Sequence, residues 1–327
     1  MPLSGQQVLV TGATGFLGGT LALKLADQGA RVRALVRSPK KAQYLRSDIE
    51  VAHGDITDAE AVSRAVDGCS VVYHVAAAFD DVKTQLAVNL NGTRNIATAA
   101  GEAGVKRLVH VSTIAVYGNN YTVDVTEDMP LAPGAFPYAV TKAQAETIVR
   151  EVCARYGMSY TIIRPGMIYG PRSAMWTKLM FELARRNPTP WLGDGHGSMY
   201  PIYIDDVVDL LFLCGDHPAA ANQAFNATPD PSPTWREYIQ KLSRLAGHEN
   251  WLAIPPVIGY AIGGIVMLVS PPLSVGRDLP DLLKFTQTYI TIKNGKARDL
   301  LGWQPQISLD EGVARSADYL REIGLLK

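Results

Sequence analysis

The 327-residue chain balances 31 basic against 31 acidic side chains, with 47% hydrophobic and 19% charged residues. This composition disfavours disorder and leaves no basic surplus for binding nucleic acid or an anionic membrane. The length suits one large α/β unit or two domains. Cys69, Cys153 and Cys214 are an odd, widely spaced set without a CxxC pair, which excludes a disulfide framework and a thiolate zinc site. A reducing cytoplasm is the expected location, and Met1–Gln7 lacks the charged and apolar regions of a signal peptide.

Short β-branched runs at Gln7–Val10, Arg31–Val36, Glu50–Ala52, Ser70–Val75, Arg107–Ser112 and Ser159–Arg164 alternate with amphipathic segments. That alternation predicts an α/β protein with a doubly wound parallel sheet, placed at residues 1–165. After Arg164 the alternation weakens and Pro and Gly accumulate, from Pro188 and Pro190 to Pro229, Pro231 and Pro233. Residues 166–327 are therefore expected to form a smaller, mainly substrate-binding α/β region, with residues 200–225 returning to the first domain. Thr234 and Glu237 predict a capping box opening a helix toward Ala246. Leu252–Val275 carries no charge, yet Pro255, Pro256, Pro271 and Pro272 make its uninterrupted part too short for a membrane span. A buried or pocket-lining helix is expected there, with a monotopic membrane contact as the alternative.

After the first strand comes Thr11-Gly12-Ala13-Thr14-Gly15-Phe16-Leu17-Gly18, leading into a helical pattern at Thr20–Gln28. Glycines at this spacing permit a tight turn and close backbone approach to a pyrophosphate, which then faces the free N–H groups at a helix start. Strand, loop, helix and second strand follow in the order a dinucleotide site requires. The second strand ends at Val36-Arg37, where an NAD site would carry an acid for the ribose hydroxyls. Arg37, followed by Lys40 and Lys41, instead suits a 2′-phosphate, so NADP(H) is expected, with NAD(H) as the alternative. Asp55-Ile56 is a candidate for the adenine edge, and Ala76-Ala77 for backbone contact with the cofactor.

Several further motifs follow in order: Gly54-Asp55, His74-Val75-Ala76-Ala77, Asn89 in VNLNGT, Ser112-Thr113 in HVSTIAVYG, and Tyr138-Ala139-Val140-Thr141-Lys142. Arg164-Pro165, Tyr169-Gly170-Pro171, Tyr203–Val207 and Leu301–Pro305 come later. Through nearly the whole chain this order resembles the extended short-chain dehydrogenases/reductases, the NAD(P)-dependent epimerase/dehydratase group. The resemblance implies a Rossmann domain, a Tyr–Lys pair at the reacting carbon, and a hydroxyl 25 residues before the tyrosine. That spacing favours Thr113 over Ser112, which stays as second choice. Tyr138 and Lys142 stand four apart and share a helix face. An ammonium beside the phenol would lower its pKa from about 10 and make it a usable acid or base. The resemblance also takes Lys142 to the nicotinamide ribose and adds Asn89, Pro165 and Ile168 to the cofactor contacts. His53, His74 and His110 read as structural, His196 and His248 lack ligand spacing, and no metal site is expected. Asp205-Asp206 is expected to cap a helix and help pack the domains.

Two departures bear on the substrate. Met167 stands where the sugar-nucleotide enzymes of this group resemble one another in carrying Asn, and Met199-Tyr200-Pro201 replaces an RDF-like triplet whose Arg clamps a diphosphate. Methionine offers adaptable apolar surface instead. Met167, Met175, Trp176 and Met199 are therefore expected to line a site for a fairly hydrophobic carbonyl or alcohol. The pattern looks more like the dihydroflavonol-reductase-like and 3β-hydroxysteroid-dehydrogenase-like carbonyl reductases. The alternative is a redox-neutral nucleotide-sugar epimerase or dehydratase with retained cofactor. A noncatalytic NADP-sensing protein is a third hypothesis, and the presence of both Tyr138 and Lys142 counts against it. The resemblance further implies a homodimer built from Asp81–Ala103 and Tyr138–Tyr156.

Overall fold

The computed structural model describes residues 3–43, 45–119, 121–255, 257–258 and 285–327. Strands β1 (Gln7–Thr11), β2 (Arg31–Val36), β3 (Glu50–His53), β4 (Val71–His74), β5 (Arg107–Val111) and β6 (Ser159–Pro165) form where the apolar runs predict them. Five further strands are shorter or less apolar: β7 (Met167–Tyr169), β8 (Thr189–Leu192), β9 (Pro201–Tyr203), β10 (Gln223–Ala227) and β11 (Trp251–Ile254). The main sheet has seven strands in the order β3-β2-β1-β4-β5-β6-β10, every neighbouring pair parallel. Sequence alternation predicts six; β10 is the addition, held against β6 with Gln223 opposite Thr161 and Ala227 opposite Pro165. The chain reverses direction across the sheet between β1 and β4, and in open parallel sheets the crevice at such a reversal is where ligands bind.

Among the described residues, seven helices of eight or more residues are α1 (Phe16–Asp27), α2 (Ala59–Val66), α3 (Thr93–Glu102), α4 (Pro137–Tyr156), α5 (Ile204–Cys214), α6 (Trp235–Leu245) and α7 (Leu309–Glu322). They cover both faces of the sheet. Val8 and Val10 point into one core with Leu21, Leu25 and the α5 residues Val207 and Leu211, whereas Leu9 points into the other with Val62, Ile96 and Val149. Alternate residues of one strand thus serve opposite layers, as the period of two requires. A four-residue turn of helix (Val82–Gln85) and a π-helical stretch (Leu86–Gly92) run directly into α3.

Residues beyond β6 divide their contacts. α5 packs on α1, with Lys24 paired to Asp209. β7 pairs with β9, and β8 with β11, in two small parallel sheets. Asp206 is buried and accepts the Gln306 and Ile307 amides at 2.8 and 3.2 Å, while its own carbonyl accepts the Trp303 indole at 3.0 Å. Burial holds its carboxyl up at about 6 even though the two amides pull it down. This tie anchors the Leu301–Pro305 landmark against α5. The predicted capping box is present at α6, with Thr234 and Glu237 each accepting from the other's backbone N–H. Of the uncharged stretch, β11 includes Leu252–Ile254, and positions 256 and 259–275 lie outside the described residues. Among the described residues no helix is long and apolar enough to cross a membrane.

Candidate active site

The Gly-rich loop joins β1 to α1 at the sheet's reversal. Gly12 takes φ +71°, and a Cβ there would stand 3.0 Å from the Ala76 nitrogen. A Cβ on Gly18 would lie 2.4 Å from the Gly12 carbonyl oxygen. These contacts leave room only for glycine, and they place the loop against the chain leaving β4. Thr11 locks the same junction, because its hydroxyl accepts the Val75 and Ala76 amides at 3.1 Å each. Gly15 caps α1 without any side-chain hydrogen bond, so the first N–H groups, at Phe16 and Leu17, are left open. Thr14 is half-buried and Gly15 exposed at the mouth of this cradle. The bare helix start and the absence of β-carbons fit a dinucleotide pyrophosphate.

The other cofactor candidates fall around that cradle unevenly. Arg37, whose side chain is 74% exposed, leaves the end of β2 and stands 3.6 Å from the Asp55 carboxylate beyond β3, so these two residues are brought together. Asp55 also accepts from the Thr57 amide and hydroxyl at 2.9 Å. Ala76 is half-buried and Ala77 exposed. Ile56 is buried against Gly92 and its carbonyl accepts from Asn95. Pro165 is buried at the end of β6, and Ile168 is half-buried in β7. Asn89 is buried on the π-helical stretch with its amide engaged by the protein: it accepts from Ala78 N at 2.8 Å and donates to Ala78 O and Thr141 Oγ1 at 3.0 and 3.1 Å. Its side chain ties the β4 exit loop to α4.

Thr113 follows β5 and is half-buried. Its Oγ accepts the Ala115 amide at 3.2 Å, which leaves its own hydrogen to donate. Ser112 Oγ is sealed from solvent and has no hydrogen-bond partner among the described residues. Of the two hydroxyls, that of Thr113 is the more accessible.

Tyr138 and Lys142 occupy the first turns of α4, both buried. Spacing predicts an ammonium facing the phenol and lowering its pKa, and the structure differs. Lys142 Nζ donates to the Val111 carbonyl at 2.6 Å and lies 3.5 Å from His110 Nε2, drawn to the end of β5. Burial pushes the Tyr138 phenol above its ordinary value. Burial also pushes Lys142 down to about 8, against the upward pull of Glu146 one turn along. Among the described residues no group hydrogen-bonds the Tyr138 hydroxyl. Phe79, absent from the sequence-level candidates, lies flat on the Tyr138 ring with centroids 3.7 Å apart, and Phe136 stands at 6.0 Å.

The histidines behind the site are buried. His74 bridges Thr11 and Thr93 hydroxyls at 2.9 Å each and is pushed down to about 3 by burial, then by Lys142. Among the described residues His110 Nδ1 has no partner, so that ring is only half satisfied.

The proposed substrate residues scatter. Met167 is buried in the main core, Met175 is 48% exposed, and Trp176 is half-buried with its carbonyl bonded by the Tyr238 hydroxyl. Met199 has no exposed surface and belongs to the main core. The segment before β9 runs through the core, with the Met199 N–H donating to the Pro233 carbonyl, a burial that an apolar residue next to Tyr200-Pro201 does not reveal in sequence. Tyr200 donates its hydroxyl to the Ile290 carbonyl and its backbone N–H to Ser232 Oγ, so the 199–201 segment presents no cation. Among the described residues no group of three His, Cys, Asp or Glu side chains is placed to hold a metal.

The model of the NAD dependent epimerase/dehydratase family matches residues 8–227. The chain is 31% identical over 338 residues to a UDP-glucose 4-epimerase of Mycolicibacterium smegmatis, covering 96% of this chain and 98% of that one. It is 30% identical over 327 residues to a 2-alkyl-3-oxoalkanoate reductase of Stenotrophomonas maltophilia, covering 94% and 98%. In fold it is similar to the UDP-glucose 4-epimerase of Thermotoga maritima solved with UDP-glucose, at a TM-score of 0.79, 23% identity and coverage of 97% and 99%. The chain is thus a member of the NAD dependent epimerase/dehydratase family, the extended short-chain dehydrogenases/reductases, whose enzymes depend on NAD(P).

Proposed function

We propose that the protein is an NADP(H)-dependent oxidoreductase acting between a carbonyl and a secondary alcohol of a fairly hydrophobic substrate. The observation that carries this reading is the setting of Tyr138: a buried phenol walled by Phe79 and Phe136. An un-ionised phenol is a proton donor, which is what carbonyl reduction asks of the acid. When bound, the nicotinamide supplies or accepts the hydride. Tyr138 Oη gives its proton to the substrate oxygen as that oxygen gains charge. Thr113 donates a hydrogen bond to the same oxygen and orients it. Lys142 holds its ammonium against the Val111 carbonyl, within the buried floor of the site, as a local positive charge.

The epimerase relative at 31% identity favours a second reading, a redox-neutral sugar-nucleotide epimerase or dehydratase with retained cofactor. Adding NADPH, with NADH in parallel, to apolar ketones and to UDP-sugars separates the two. Net cofactor oxidation with a ketone supports the reductase; conversion of a UDP-sugar without net oxidation overturns it.

The NADP preference belongs to the same proposal and rests on the exposed Arg37 guanidinium beside the cradle. Arg37→Ala is expected to weaken NADPH binding about tenfold, the low end for a charge-assisted contact, and to leave NADH within about twofold. Equal loss for both cofactors would remove Arg37 from 2′-phosphate recognition. The homodimer is likewise proposed, through Asp81–Ala103 and α4, and a monomeric mass in solution at micromolar concentration would refute it.

A further inference from the structure

His74 and His110 stand opposite each other near the ends of β4 and β5, and in sequence both read as structural. Their surroundings separate them. Each His74 nitrogen lies 2.9 Å from a threonine hydroxyl, that of Thr11 on β1 or Thr93 on α3, so the protein satisfies the whole ring. The His110 ring has no exposed surface, and its one polar contact among the described residues is the Lys142 ammonium, 3.5 Å from Nε2. An imidazole accepts from an ammonium only at a nitrogen without hydrogen, which puts the hydrogen on Nδ1, and Nδ1 has no partner among the described residues. A buried N–H left unpaired is destabilising, so packing alone does not account for an imidazole at this position. The ammonium has three hydrogens. Val111 O takes one at 2.6 Å, His110 Nε2 faces a second, and the third has no acceptor among the described residues.

We propose that His110 is a positioning residue for Lys142: its Nε2 and the Val111 carbonyl, from neighbouring residues of β5, hold the ammonium charged and fixed, with its third hydrogen left for a bound ligand. This rests on the roles given to Tyr138 and Lys142 above and deepens them by naming what keeps the cation in place. Burial drives Lys142 toward the neutral amine, down to about 8, so the loss of one acceptor is felt directly in its charge. Burial also holds His110 well below its ordinary value, which keeps that ring neutral and Nε2 able to accept. The other ionisable groups around the pair are His74 from β4, Tyr138 and Glu146 from α4, and Arg164 from β6, whose guanidinium answers Glu146.

The test titrates the full chain carrying isotope-labelled lysine, whose Cε resonance reports the charge of each amine, and takes as Lys142 the signal missing from Lys142→Met. The pH dependence of kcat/KM for ketone reduction by NADPH is measured beside it. The parent is expected to titrate at about 8. In His110→Phe the ammonium loses an acceptor and the neutral amine gains, so the midpoint falls by about one pH unit, a tenfold loss of proton affinity. Activity needs the cation, so the basic limb of kcat/KM moves to lower pH as well. His110→Gln returns an acceptor oxygen on a side chain of similar reach and is expected to keep the proton affinity within about twofold. Unfolding midpoints establish that each variant is folded; a merely structural role would move those and leave the Lys142 titration where it was. An unmoved Lys142 midpoint in His110→Phe overturns the proposal, as does an equal fall in His110→Gln or a basic limb that stays in place while the midpoint shifts. A midpoint that depends on His110 in a protein that reduces no ketone supports the hold on Lys142 and counts against the reductase reading alone.

Discussion

Tyr138→Phe is expected to lower kcat for ketone reduction about 10²–10⁴-fold, the range over which a positioned general acid acts, while NADPH affinity stays within about threefold. The effect falls on kcat because the phenolic hydrogen is needed only as charge develops on the substrate oxygen. The fold should not register the change. Among the described residues the hydroxyl has no hydrogen-bond partner, and the ring keeps its stack on Phe79. A matching unfolding midpoint therefore accompanies the expected loss of turnover. Steady-state kinetics with one ketone and a fluorescence titration with NADPH check both halves. Full turnover in Tyr138→Phe would remove this residue as the acid, and lost NADPH binding would make it a cofactor contact first.

The second large effect is on stability. Arg164 and Glu146 are both buried and make a two-pronged pair, Nε to Oε1 at 2.9 Å and Nη2 to Oε2 at 2.7 Å. Arg164 also donates to the Tyr117 hydroxyl at 2.6 Å and the Glu127 carbonyl at 3.2 Å. The pair joins β6 to α4 one turn beyond Lys142. Arg164→Ala leaves a buried carboxylate whose remaining ion-pair contact, among the described residues, is Arg150 at 3.7 Å, with the Lys142 ammonium one turn away. A loss of about 3–5 kcal/mol in urea unfolding is expected, as for other broken buried pairs. Replacing both partners, Arg164→Met with Glu146→Leu, removes the unpaired charge and is expected to recover most of it. A single-mutant loss below about 1 kcal/mol would show that water reaches the carboxylate.

The sequence made the six principal strands legible to within one or two residues because parallel strands buried on both faces are written as continuous apolar, β-branched runs. β10, reading Gln-Ala-Phe-Asn-Ala, has no such run and was found only through its place beside β6. The π-helical Leu86–Gly92 carries no periodic signature that separates it from an α-helix, so the direction in which Asn89 points was not readable. The resemblance nominated Asn89 for the cofactor, whereas its amide is engaged by Ala78 and Thr141.

Within the candidate site the contrast is sharper. Motif order placed the glycine cradle, Thr113, Tyr138 and Lys142 at the sheet's reversal, because those residues sit at strand ends and a helix start that the strand pattern already locates. The partner of the Lys142 ammonium was beyond reach of spacing: four residues put it on the face of Tyr138, but a long side chain chooses among acceptors, and Val111 O is nearer. Phe79 was invisible for a different reason. A phenylalanine in the loop Ala76–Asp81 has no pattern, and its place on the Tyr138 ring goes with two buried amides, Gln85 and Asn89, gripping the backbone around it.

The central claim is hydride transfer to an apolar ketone, and deuterium reports it most directly. The enzyme is incubated with 1-tetralone and NADPH deuterated at both C4 positions, and the alcohol is analysed by mass spectrometry. The proposed mechanism predicts an alcohol carrying a single deuterium on the carbinol carbon, formed in step with NADP⁺ and nearly absent with Tyr138→Phe. If no apolar ketone yields a deuterated alcohol while UDP-glucose is converted to its epimer without consuming cofactor, the protein is an epimerase and the reductase mechanism is wrong.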